Sequence, residues 1–146
     1  MTNEKNRLTD FYVNTKIILA LLWATIMVLY IYADYFNLMT PNSIQRMMDL
    51  KTPVGPATPS LLIGFSILLI IPALVIPGSL LLQPKLAKWL NIIFGLLYAI
   101  ISVLIIISNI GSQWMTFIIL YQVVELFVFA LIIWHAWNWP KEIPAI

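Results

Sequence analysis

The chain has 146 residues, of which 62% are hydrophobic and only 10% are charged, whereas an average soluble domain carries about 25% charged residues. Too few polar side chains remain to coat a water-exposed surface, so much of the exterior must face lipid, and the mean hydropathy of +0.95 agrees. A net charge of +2 spread over scattered lysines and arginines argues against nucleic acid as a partner, and the lack of cysteine excludes disulfides, thiolate metal sites and iron–sulfur clusters.

A hydrocarbon core about 30 Å thick is crossed by about 20 mostly apolar residues in a helix. Residues 1–15 form a charged tail ahead of the first such run. That run is too long for the apolar region of a signal peptide and has no small-residue cleavage site behind it, so it is expected to stay in place. The first span is predicted from about Lys16 to Phe36. Within it Trp23, Met27, Tyr30 and Asp34 follow a 4-3-4 spacing, one helical stripe turned toward the bundle with Asp34 at its outer mouth. The Tyr30 hydroxyl, one turn earlier, can reach the carboxylate. Asp34 then has two readings. It is either a helix-end carboxylate hydrogen-bonded to the following loop, or part of a cation- or amine-binding mouth, where aromatic rings suit a positive ligand.

Residues 37–59 make the only long connection. Thr40 before Pro41 reads as an N-cap with proline at the first helical position, opening a short helix from about Pro41 to Leu50. Ile44, Met47, Met48 and Leu50 would meet a membrane or bundle surface, with Arg46 and Asp49 toward water. Pro53, Pro56 and Pro59 recur every third residue and favour an extended, polyproline-like path.

The second span, about Ser60 to Leu82, carries Pro72 and Pro77. Each proline lacks an N–H, so Pro72 frees a carbonyl one turn earlier, near Leu68. The third span, about Leu86 to Asn109, holds Asn91, suited to hydrogen bonding across the bundle, and Tyr98 near mid-depth. The fourth, about Met115 to Trp139, holds Glu125 about ten residues in and ends at Pro140, ahead of a tail of residues 140–146. Trp89, Trp114, Trp134, Trp137 and Trp139 fall near span ends, where indole rings prefer the interface.

Residues 16–139 are therefore read as one all-α, antiparallel four-helix transmembrane bundle with a short outer-loop helix between the first and second spans. The runs are continuously apolar instead of alternating, which excludes β-barrel strands and leaves helices to satisfy the backbone in lipid. Lysines and arginines set the orientation. Lys5, Arg7, Lys16, Lys85, Lys88 and Lys141 share one side and only Arg46 and Lys51 the other, six against two, which predicts both termini in the cytoplasm.

A charged residue at a span centre costs about 2.5–3.5 kcal/mol on insertion scales, so it usually faces the bundle interior. Glu125 is the strongest such signal. Tyr121 and Gln122 precede it by four and three residues and share its face; Tyr98 of the third span falls at nearly the same depth. The candidate binding residues are thus Glu125, Tyr98, Gln122, Tyr121, Asp34, Tyr30 and Asn91. Glu125 is either a helix–helix hydrogen-bonding residue, partnered by Tyr98 or a backbone carbonyl, or a ligand- or proton-handling group. No nucleophile–base pair, phosphate loop or acidic metal cluster stands out, and no cofactor is implied. The single histidine, His135, cannot supply bis-histidine haem or a zinc site.

Four segments, "LLWATIMVLYIYADYFNLMTPNSI", "GPATPSLLIGFSILLIIPALVI", "LAKWLNIIFGLLYAI" and "YQVVELFVFALIIWHAWNWP", carry a resemblance. Together they resemble a family of small bacterial membrane proteins known as a domain of unknown function. The shared features are Trp23 ahead of Tyr32, Asp34, Tyr35 and Phe36, then Asn91, Gly95 and Tyr98, then Glu125; Ala33 stands where glycine is expected. The resemblance covers nearly the whole chain, implies four helices and brings no known activity; the expected location is a bacterial cytoplasmic (inner) membrane.

Three function classes follow. The first is a non-enzymatic binding or transport-type protein that holds a small amphipathic molecule, lipid or cation at an interior polar site; it predicts a cavity reaching Glu125. The second is a membrane enzyme acting on a lipid or quinone, with Glu125 or Asp34 as general acid or base. The third is a structural subunit or homo-oligomer, for which Gly64, Gly78 and Gly95 offer little because they form no GxxxG pair. The first is favoured.

Overall fold

A computed structural model describes residues 12–140; Lys5, Arg7 and Lys141 and most of the two tails lie outside the described residues. Four long helices dominate: α1 (Thr15–Asn37), α3 (Pro59–Leu81), α4 (Pro84–Asn109) and α5 (Thr116–Trp137), with a short α2 (Ser43–Met48) between the first two. All four long helices are apolar and long enough to cross a membrane. Each long helix covers one of the four apolar runs, with ends displaced by at most two residues, because a 20-residue apolar run in lipid satisfies its backbone as a helix.

Local chemistry marks the ends. The Asn14 side chain accepts from the Lys16 backbone N–H at 2.9 Å, and Thr58 caps α3 through the Leu61 N–H at 3.2 Å. Pro59 and Pro84 each open a helix where a missing N–H costs nothing. At the opposite ends, lysines from neighbouring helices serve the last carbonyls. Lys16 Nζ donates to Leu80 O at 3.1 Å and Leu82 O at 2.6 Å, and Lys88 Nζ donates to Trp137 O at 3.0 Å. A cation at a helix C-terminus also meets the negative end of the dipole.

The helices form a ring in which α1 packs on α3 and α5, and α4 on α5 and α3. Trp23 of α1 fills the centre, fully buried, edge-on to Tyr98 of α4 with ring centroids 6.0 Å apart and 5.8 Å from Phe129 of α5. Lipid is as apolar as the core, so burial alone does not drive helix association; close packing and interhelical hydrogen bonds must. Gly95 allows the close approach of α4 to α5, since a Cβ there would lie 3.0 Å from Ile133 Cγ1. A polar layer ties three helices together below this core. Trp23 Nε1 donates to Asn91 Oδ1 at 2.8 Å, while Asn91 Nδ2 donates to Ser79 Oγ at 3.0 Å and Ala87 O at 2.8 Å. Trp89, Trp134 and Trp137 are exposed at the end of the bundle that carries the α3–α4 turn, and Trp114 at the end that carries α2; Trp139 is partly buried against the core.

The connection between α1 and α3 departs from its sequence reading. The helix begins at Ser43, not Pro41, and its N-cap is Asn42 in the left-handed region with φ 59°. Thr40 does not cap it through a backbone N–H. Its hydroxyl bonds Asn37 O at 2.8 Å and Ser43 Oγ at 3.0 Å, extending the turn that ends α1. Nor is the proline-spaced segment a polyproline path. Lys51–Thr52 pairs antiparallel with Gly55–Pro56, a two-residue hairpin in which Thr52 Oγ1 donates to Gly55 O at 2.8 Å. Gly55 has φ 135°, a conformation L side chains rarely adopt, and that glycine is what lets the chain reverse.

Candidate functional site

The inward face of α5 carries Gln122, Glu125, Phe129, Ile132 and Ala136, all buried. The corresponding stripe on α4 is Asn91, Gly95, Tyr98 and Ser102, spaced 4-3-4. Where these stripes meet at mid-length, Glu125 is fully buried. Its Oε2 accepts from Ser102 Oγ at a long 3.4 Å. Among the described residues its Oε1 has no hydrogen-bond partner, and neither has Oε1 of Gln122, three residues earlier on the same face. A buried polar atom left unpaired costs about 1–3 kcal/mol. Two such atoms on residues three apart contrast with Asn91, whose side-chain groups are all partnered.

Pro72 sets the next feature. It has no N–H to give Leu68 O, the carbonyl one turn back. The Tyr98 hydroxyl donates to that oxygen instead, at 2.6 Å. Tyr98 is thereby fixed between α4 and α3, its ring inclined 29° to that of Phe129 with centroids 6.3 Å apart. With its proton committed to Leu68, the tyrosine hydroxyl does not donate to the Glu125 carboxyl, which accepts from Ser102.

A partly open cleft of about 550 Å³ occupies the half of the bundle toward α2. Tyr30, Ala33 and Asp34 of α1, Leu68 of α3, Tyr98 and Ser102 of α4, and Gln122 and Glu125 of α5 all border it, among apolar side chains. Asp34 is exposed at the rim beside buried Ala33. Its carboxylate makes no hydrogen bond or ion pair among the described residues; only its backbone carbonyl meets the loop, accepting from Leu38 N at 3.3 Å. Among the described residues no lysine, arginine or histidine lines the cleft.

Five of the seven candidate residues, Glu125, Gln122, Tyr98, Tyr30 and Asp34, border this one space. The other two lie elsewhere. Tyr121 sits one residue off the buried stripe of α5 and lines a separate cavity of about 370 Å³ with Phe36, Met39, Thr40, Trp114 and Phe117. Asn91 belongs to the polar layer with Trp23 and Ser79, where every one of its side-chain groups is partnered. Ser102, whose hydroxyl donates to Glu125, escaped the sequence reading although the 4-3-4 spacing from Asn91 through Tyr98 leads to it. Ser79 escaped as well, because only the folded turn brings it opposite Asn91. Among the described residues no group of three or more acidic, histidine or cysteine side chains could hold a metal ion.

A family model matches residues 7–145, which takes in α1 through α5. The chain belongs to the family of unknown function DUF6326. No curated protein and no solved structure matches it. Membership therefore assigns no chemistry to the cleft.

Proposed function

We propose that this is a multi-pass protein of the bacterial cytoplasmic membrane, both termini cytoplasmic, which binds or conducts a small amphipathic molecule, lipid or cation in the cleft beside Glu125. One observation carries the reading: Glu125 and Gln122 each hold a buried side-chain oxygen without a partner among the described residues, at the wall of that cleft. A carboxyl retained only to join helices would have its partners built in, as Asn91 has. An oxygen kept free at bilayer depth, where bulk water is absent, is explained by an occupant that brings its own donors. The volume of about 550 Å³ falls within the roughly 300–1,000 Å³ of small-molecule sites. The proposed orientation rests on Lys16, Lys85 and Lys88 at the α3–α4 turn end against Arg46 and Lys51 at the α2 end, so the cleft belongs to the outer half of the bundle.

Mass spectrometry of molecules that co-purify with the protein from native membranes tests this, with Glu125→Gln run in parallel. A specific molecule retained by the wild type and lost from the variant is the expected result. Absence of any retained molecule from both, with the two proteins equally well folded, would contradict it.

A further inference from the structure

We infer that the occupant of the cleft is an amphipathic protonated amine: a molecule with an apolar, preferably aromatic body and an ammonium group that still carries N–H bonds. The inference rests on the interior-site reading and narrows it to one chemical class. Charge comes first. Two carboxyl groups, Asp34 and Glu125, border the space and, among the described residues, no cationic side chain does. An anionic headgroup would meet both with nothing to offset them, and inside a low-dielectric bundle that repulsion is far stronger than in water.

Hydrogen bonding comes next. The two buried, unpartnered atoms, Glu125 Oε1 and Gln122 Oε1, are oxygens, three residues apart on one helical face. Two hydroxyls of the same wall are already engaged: Ser102 Oγ donates to Glu125 Oε2, and the Tyr98 hydroxyl donates to Leu68 O. What is missing is a donor, and one –NH₃⁺ group supplies up to three. A quaternary ammonium supplies charge without donors, and a quinone or ester supplies only acceptors.

The walls decide the rest. Phe65, Leu68, Leu69, Ile101, Ile105 and Ile118 line the cleft, which suits an organic body and not a hydrated metal ion. The rings of Tyr30, Phe65 and Tyr98 stand around the space below Asp34, and aromatic faces attract cations by about 0.5–2 kcal/mol each. Asp34, exposed and unpaired at the rim, is placed to gather the cation before it moves inward to Glu125.

A matched series of four probes tests the class on the full chain in lipid nanodiscs at neutral pH: 2-phenylethylamine, its N,N,N-trimethylated analogue, 2-phenylethanol and phenylacetate. The amine should bind at least tenfold more tightly than each of the others. Glu125→Gln should weaken amine binding at least tenfold, Asp34→Asn severalfold, and Asp49→Asn, in the loop away from the cleft, not at all. Asp34→Asn serves as the check that survives if Glu125→Gln folds poorly, because its side chain is exposed and unpartnered. Equal binding of amine and alcohol, tightest binding of the trimethylated cation or the anion, or amine binding indifferent to both cleft substitutions would each overturn the inference. If the alcohol or anion binds in a Glu125-dependent manner, the interior site stands and only the amine class falls. If none of the four binds, the amine class falls, and the co-purification result decides the site separately.

Discussion

Replacing Tyr98 by phenylalanine removes one oxygen and leaves the ring, with its packing on Trp23 and Phe129, in place. The lost bond is the short one, 2.6 Å, to the Leu68 carbonyl that Pro72 cannot serve. A buried acceptor without a donor costs about 1–3 kcal/mol, while interhelical hydrogen bonds measured in membranes run from about 0.6 to 2 kcal/mol. The expected loss is therefore about 1–2 kcal/mol. Pro72→Ala supplies the arbiter, because an alanine at that position would bring a backbone N–H to the same carbonyl. In that background Tyr98→Phe should cost less than about 0.5 kcal/mol, a coupling of about 1 kcal/mol in a double-mutant cycle. Reversible SDS-driven unfolding in mixed micelles reads all four proteins. Additive costs would refute the argument that the tyrosine substitutes for the missing backbone donor.

Asn91→Leu keeps the branched outline but leaves Trp23 Nε1 buried without an acceptor; the same unfolding assay should show a loss of about 1–3 kcal/mol or more, since the bulkier methyls also overpack the site, with binding in the cleft unchanged for whatever fraction folds. The absence of cysteine makes the chain a ready background for topology mapping. A cysteine at Val54 should react with a membrane-impermeant maleimide in intact cells, and one at Lys85 only after permeabilisation. The reverse pattern would overturn the proposed orientation.

The four long helices were legible in the sequence because continuous apolarity over 20 residues leaves the backbone one solution in lipid. The 37–59 connection was not, because its outcome depends on small competing hydrogen bonds. Thr40 had the right residue type and position for an N-cap, but its hydroxyl found Asn37 and Ser43 first, and the helix started two residues later than expected. Three evenly spaced prolines suggested an extended strand, yet Gly55 and the Thr52 hydroxyl closed a hairpin between two of them. Helical spacing also located the α5 stripe of the site but not its edge. Residues three and four before Glu125 are equally eligible by periodicity, and only the packing of α5 against its neighbours put Gln122 inside and Tyr121 beside Phe36 and Trp114. The carbonyl freed by Pro72 could be named from sequence, whereas its pairing with Tyr98 required knowing which helices touch.

Glu125→Met puts the account to its most direct trial, since methionine is close in volume and removes both carboxyl oxygens. The wild-type carboxyl has one long 3.4 Å bond and one unpartnered oxygen, and the released Ser102 hydroxyl can turn back to the Tyr98 carbonyl of its own helix. Unfolding of the ligand-free protein should accordingly show the variant as stable as wild type or more so, with amine binding abolished. A loss of more than about 2 kcal/mol, the signature of breaking a buried structural pair, would mean that the carboxyl holds the helices together, and the binding role would have to be given up.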